Sequence, residues 1–282
     1  MVLAPLVFAG RLEDPASLRA ELLMAAAFCL LASGGYALND LRDQPADRLH
    51  PAKAGRPLPS GALPRRAALG LGLACIAAGL GLGWVVQRLA PPAGAGGLAA
   101  VGPLGWCVAY LALTGAYTVW LRAIAGLDVL ALAAAFVLRA YAGSAALQLL
   151  PSDWLVACGA CLALFLALGK RRLEVSQVGA AARPALAPWD PAVLDRLVDL
   201  SALAAGASYV VYTVAPVTAA KVGGPGLLAS APLVAWLLYR ARGRLRRDEA
   251  SDPVELLLRD RPTLLGFLAW TLVVLAVIYR RP

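Results

Sequence analysis

The sequence predicts an all-α integral membrane protein. Of its 282 residues, 60% are hydrophobic and only 15% are charged, whereas soluble domains are about half apolar and carry about a quarter charged residues. Mean hydropathy is +0.70. Apolar runs near ~20 residues, the length that crosses ~30 Å of hydrocarbon, recur along the chain. The basic residues fall mainly in alternate connections between those runs, as the positive-inside rule requires of a multi-pass protein.

Taken in order, Met1 to Gly10 is too short to span and is expected to be the final turns of an incomplete first helix. It lacks a charged leader and a small-residue cleavage site, so a cleavable signal is not expected. The apolar segments that follow are Leu18 to Leu38, Ala67 to Val86, Gly97 to Trp120, Ile124 to Leu149, Trp154 to Gly169, Leu194 to Ala220, Gly226 to Tyr239 and Thr263 to Tyr279. That makes nine segments with the first incomplete. Ala90 to Gly97 is a Pro/Gly connector. The loops after segments two, four, six and eight hold 19 Lys and Arg, from Arg42 to Arg261, and the opposite loops hold four: Arg11, Arg19, Arg88 and Lys221. The even-numbered loops are therefore expected in the cytoplasm. The net charge of +9 reads as topology and contact with anionic membrane lipids. No soluble basic domain exists to bind nucleic acid. The five cysteines (Cys29, Cys75, Cys107, Cys158, Cys161) all lie in apolar runs, where small buried hydrophobes are expected rather than a zinc site or a disulfide framework.

One polar block interrupts this pattern: Asn39 to Gly61, NDLRDQPADRLHPAKAGRPLPSG. Asp40, Asp43 and Asp47 come first, then His50, the only histidine, then Lys53 and Arg56. Acids spaced by three and four residues are neighbours on a helical surface. Carboxylates so placed repel one another unless a cation sits among them. Their hard oxygens suit Mg²⁺, which takes one or two protein carboxylates and completes its shell with water and phosphate oxygens. Asp40, Asp43 and Asp47 are thus the candidate metal ligands and catalytic residues. Lys53 and Arg56 are placed to receive phosphate. Pro51, Pro57, Pro59 and Pro64 should stop a long helix within the block, leaving a helix end followed by an irregular loop.

Asn39, Asp43 and Asp47 match the pattern NxxxDxxxD, and on these residues the sequence resembles the UbiA superfamily of intramembrane prenyltransferases. The longer string NDLRDQPADRLHPAKAGRP is similar to one branch, the decaprenyl-phosphate phosphoribosyltransferases, with ND-x-x-D-x-x-x-DR-x-HP-x-K-x-x-RP met at each fixed position. The resemblance implies a single UbiA-like domain over residues 1–282, a bundle of about nine transmembrane helices around a central cavity, and Mg²⁺-diphosphate held there. Family members usually open with an RP-x-x-W-x-KN stretch, and this sequence begins beyond it.

Three further signals follow. Lys170, Arg171, Arg172 and Glu174 in LALGKRRLEV resemble the GKR-x-x-E motif of the same branch, where other members carry a second Asp-rich motif. A Lys/Arg cluster would bind phosphate directly, with Arg able to make bidentate contacts. Asp195 and Asp199 read DxxxD in the same loop and keep the aromatic-acceptor chemistry of the wider superfamily open. Asp128 and Arg139 lie eleven residues apart in segment five, which returns them to within ~20° of one helical face. An intramembrane Arg is a functional candidate by default, either facing phosphate or pairing with a neighbouring helix. Asp260 in DPVELLLRDRP either closes a loop over the site or starts the last helix.

The resemblance implies transfer of 5-phosphoribosyl from 5-phosphoribosyl diphosphate to a decaprenyl-like polyprenyl phosphate, with Mg²⁺ as cofactor. Asn39, Arg48, His50, Lys53, Arg56, Arg139, Lys170, Arg171 and Glu174 are the expected substrate-binding residues. A multi-pass protein of the inner (plasma) membrane with cytoplasmic active-site loops is expected, and a homo-oligomer is compatible with it. Two alternatives stand beside this: a UbiA-type aromatic prenyltransferase serving quinone or haem precursors, and a lipid-binding or transport protein without chemistry.

Overall fold

The structure is a computed structural model that describes residues 1–49, 53–94, 96–178, 188–222, 224–247 and 260–279. Every regular element among them is helical: α1 (Ala4–Phe8), α2 (Pro15–Leu49), α3 (Arg65–Leu89), α4 (Pro103–Val119), α5 (Leu127–Ala146), α6 (Asp153–Val178), α7 (Pro191–Val214), α8 (Pro216–Val222), α9 (Ala231–Arg246) and α10 (Arg261–Tyr279), with short 3₁₀ turns between some of them. Six of these, α2, α3, α5, α6, α7 and α10, are long and apolar enough to cross a membrane. Segments four and eight fall on the shorter α4 and α9, of 17 and 16 residues. The first segment keeps five helical residues. The all-helical membrane class thus holds, while the described helices do not establish a count of nine spans.

Two departures from the expected boundaries have simple causes. Segment seven breaks after Val214, because Pro216 pushes Ala215 out of the helical region, to φ −57° and ψ 136°. In the polar block, α2 continues to Leu49 with Pro45 inside it, so Asp40, Asp43 and Asp47 all sit on helix. The described chain resumes at Lys53, in turns that run to the start of α3. Among the cysteines, Cys107 is buried as expected, but Cys29 is exposed on the helix surface.

The chain divides into two compact units. The first comprises 1–6, 12–118 and 141–150. Its main contact is α2 against α3, where small residues let the backbones close in. A Cβ on Gly34 would stand 2.6 Å from the Ile76 side chain and 2.7 Å from the Gly72 carbonyl, and one on Gly79 would stand 2.8 Å from Leu31. Phe28 and Tyr110 pack with ring centroids 5.0 Å apart, and Trp106 stacks on Tyr141 at 4.9 Å. Glu21 is wholly buried near the start of α2. Gly143 gives it room: a Cβ there would lie 3.1 Å from Glu21 Oε1 and would strike the Val2 carbonyl.

The second unit comprises 7–11, 119–140 and 151–282. Phe165, Leu168, Leu173, Leu194, Val198, Leu238 and Leu245 form its core where α6, α7 and α9 meet. A second cluster joins Tyr209, Tyr212, Leu227, Val274 and Ile278. Within it, Tyr209 Oη and Ser230 Oγ are 2.6 Å apart, and Trp270 Nε1 donates to Tyr209 Oη at 3.0 Å. Such bonds hold helices together where lipid offers no hydrophobic driving force between them.

Candidate active site

Two charged constellations stand out, one in each unit. In the first unit, the last turns of α2 carry the acids. Asn39 Nδ2 donates to Asp43 Oδ2 at 3.1 Å, one turn apart. Asp47 is buried at 6% exposure and faces Lys53 Nζ at 3.3 Å and Arg56 at 3.8 Å. Asp40 lies within electrostatic reach of Asp43, Asp47, Lys53 and Arg56. The structure therefore gathers Asn39, Asp40, Asp43, Asp47, Lys53 and Arg56 at one helix end.

The loop is held there by residues that sequence reasoning passed over. Gln44 is buried in α2 and donates from Nε2 to the Leu58 carbonyl at 2.8 Å. Arg65, at the start of α3, donates to Gln44 Oε1 at 2.5 Å. Arg48, an expected substrate ligand, donates from Nε to the Pro59 carbonyl at 3.1 Å. Arg42 bonds the Thr118 carbonyl at the end of α4. Gln44 was legible only as a polar residue between acids. Its reach across fourteen residues is a tertiary fact. His50 lies outside the described residues.

Among the described residues no three His, Cys, Asp or Glu side chains converge to cage a metal. The donor set instead fits a hard cation that takes one or two carboxylates and leaves its other positions to phosphate and water. Asp43 and Asp47, one turn apart, are the carboxylates that could hold it, with Asp40 in electrostatic reach and Asn39 donating to Asp43.

In the second unit, the start of α5 meets the end of α6. Asp128 is 0% exposed and Arg171 is 1% exposed, and Arg171 Nε lies 2.6 Å from Asp128 Oδ2. Arg171 also pairs with Glu174 on its own helix. Asp128 Oδ1 accepts from the backbone N–H groups of Gly126 at 3.0 Å and Val129 at 2.8 Å. The expected direct phosphate ligand Arg171 is thus enclosed by two carboxylates. Lys170 precedes it by one residue and is half-buried. Arg139 lies over the Phe136 ring at 5.2 Å, and the buried partner of Asp128 is Arg171.

The neighbouring DxxxD acids are taken by arginines. Arg172 Nε donates to Asp195 at 3.1 Å. Asp199 accepts from Arg242, at 2.9 Å through one nitrogen, and from Arg246 at 2.5 Å. Asp260 starts α10: it accepts from the Thr263 N–H at 3.0 Å, from Arg240 at 2.6 and 2.9 Å, and pairs with Arg244 at 3.0 Å. The hydrogen bonds from Arg240, seconded by those of Thr263, hold its carboxyl well below the usual carboxylate range. Asp260 thus stands at the helix start, and the loop of its other expected role, residues 248–259, lies outside the described residues.

Fold and site together define a helical membrane protein with a carboxylate pair and adjoining cations at one helix end. Comparison narrows the class: residues 2–272 match the UbiA prenyltransferase family, and the chain belongs to it. It is 30% identical over 259 residues to a decaprenyl-phosphate phosphoribosyltransferase of Corynebacterium glutamicum, covering 90% of this chain and 74% of that protein. It is 30% identical over 293 residues to the protein of that name from Mycolicibacterium smegmatis, covering 98% and 86%. Its fold matches that of a UbiA homolog from Archaeoglobus fulgidus, solved bound to DMAPP and Mg²⁺, with a TM-score of 0.69 at 15% identity, over 99% of this chain and 94% of that one.

Proposed function

We propose that the protein transfers a 5-phosphoribosyl group from 5-phosphoribosyl diphosphate to a polyprenyl phosphate, releasing diphosphate, at the cytoplasmic face of the plasma membrane. The observation that carries this reading is the state of the second charged constellation. Asp195 and Asp199, the DxxxD pair at the start of α7, are both engaged by arginines, so this pair does not stand open for a second metal. Lys170, beside Arg171 and Arg172 on α6, is the cation assigned to phosphate. The relatives named decaprenyl-phosphate phosphoribosyltransferase support the same reading.

Asp43 and Asp47 would hold Mg²⁺, with Asp40 and Asn39 beside them. Bound there, the ion neutralises charge that develops on the leaving diphosphate. Lys53 and Arg56 turn from Asp47 toward substrate phosphate. Their side chains are 41% and 51% exposed, so the exchange costs little. Lys170 is assigned to a phosphate group of a substrate. The acceptor phosphate is already an anion near neutral pH and needs no strong base.

Purified protein with Mg²⁺ should consume radiolabelled 5-phosphoribosyl diphosphate only when a polyprenyl phosphate is supplied. Prenylation of 4-hydroxybenzoate from a prenyl diphosphate, without phosphoribosyl transfer, would decide for the aromatic prenyltransferase instead.

A further inference from the structure

We propose that Arg171 is a positioning residue, not a phosphate ligand: through Asp128 it locks the α6 turn that carries Lys170 against the start of α5. The proposal rests on the assignment of Lys170 to a substrate phosphate.

The geometry supplies the reasons. Arg171 and Asp128 are 1% and 0% exposed, so a ligand phosphate would have to draw the guanidinium out of a closed site. Asp128 cannot follow it. One of its oxygens is bound by the Gly126 and Val129 backbone N–H groups at 3.0 and 2.8 Å, which fixes the carboxylate to the first turn of α5. Pulling Arg171 away would leave that carboxylate buried without its cation, a state far costlier than either the intact pair or no pair. The guanidinium meets Asp128 through Nε and Glu174 through a terminal nitrogen. A rigid planar fork holds two carboxylates in a fixed geometry that a compact ammonium on a flexible stem does not reproduce. Two carboxylates around one guanidinium leave one negative charge in surplus. Lys170 stands four residues before Glu174, on the same helical face, so the turn that Arg171 fixes is the turn that presents its cation. Asp128 therefore acts on the substrate only through the placement of Lys170.

The test is equilibrium binding in detergent, with folded fraction checked by thermal melting. The probes are inorganic diphosphate with Mg²⁺ and, separately, 5-phosphoribosyl diphosphate with Mg²⁺. Asp128→Asn should weaken binding about tenfold, the scale of one charge-assisted contact. In a Lys170→Ala background the same change should cost nothing further, a coupling that a merely structural role would not produce. Arg171→Lys should rescue only part of the loss seen with Arg171→Gln. Should single variants fold poorly, Asp128→Asn/Arg171→Gln removes both charges and should melt above Arg171→Gln alone. Unchanged or tighter binding by Asp128→Asn would mean that Arg171 is itself a phosphate ligand and would overturn the proposal. Additive losses with Lys170→Ala, or a double variant that melts below Arg171→Gln, would overturn it equally. Wild-type protein that binds inorganic diphosphate but not the phosphoribosyl donor overturns only the donor assignment. Wild-type protein that binds neither overturns both.

Discussion

The end of α2 and the end of α6 use the same residue types in opposite ways. At α2 the cations are open to water: Lys53 and Arg56 meet Asp47 at 3.3 and 3.8 Å with side chains 41% and 51% exposed. The cations are exposed although Asp47 itself is buried, so a metal that takes over the carboxylate lets a diphosphate draw them away. At α6 the pairing is closed. Arg171 is sealed between Asp128 and Glu174, and breaking such a buried pair costs ~3–5 kcal/mol. Charge that can be exchanged serves a ligand, and charge that cannot serves the fold. A sequence motif does not distinguish the two, since each reads as acids and bases at helical spacing.

The comparison can be broken most directly at α2. Asp43→Asn or Asp47→Asn should lower turnover by at least ~100-fold, because lost metal charge stabilisation is worth several kcal/mol. Melting should change little for Asp43→Asn, since Asp43 is only half-buried. Near-normal turnover of both variants in detergent would remove the metal assignment. Next in size is Lys170→Ala, which should weaken donor binding by about ten- to a hundredfold through loss of a charge-assisted contact.

Gln44→Ala sharpens the contrast from the side of the loop. It removes the buried bond to the Leu58 carbonyl, worth ~1 kcal/mol, and frees the segment bearing Lys53 and Arg56. Donor affinity should fall about fivefold while metal binding holds, which titration of each ligand would separate. Asp260 tests the closed class by pH. Its folded carboxyl is held below the ordinary range by Arg240, so its contribution to stability is fully present above the unfolded value of about 3.9. That contribution is lost as pH falls through the lower folded value. Acid melting curves of Asp260→Asn should therefore be flatter below about pH 4 than those of the wild type. The smallest effect is expected from Arg247→Ala: a charge assigned to topology, its removal should leave donor affinity within about twofold. A loss equal to that of Lys170→Ala would mean that the basic surface acts as a whole.

The sequence by itself determined the membrane class, the helical content and the acid-rich end of α2. Hydropathy over ~20 residues and i, i+4 spacing are local properties, and Asn39, Asp43 and Asp47 carry theirs along one helix. It also placed Arg171 and Glu174 in a motif and Asp128 at the start of a segment. Only the tertiary structure decided what those residues do. Asp128 and Arg171 are 43 positions apart in the chain, and whether a guanidinium meets a phosphate or a buried carboxylate depends on which helix end packs against it. The same holds for Asp195 and Asp199, which read as a metal motif in sequence and are bound by Arg172, Arg242 and Arg246 in space. Charge strength is set by burial and by partners brought from distant segments, and neither is written in the spacing of a motif.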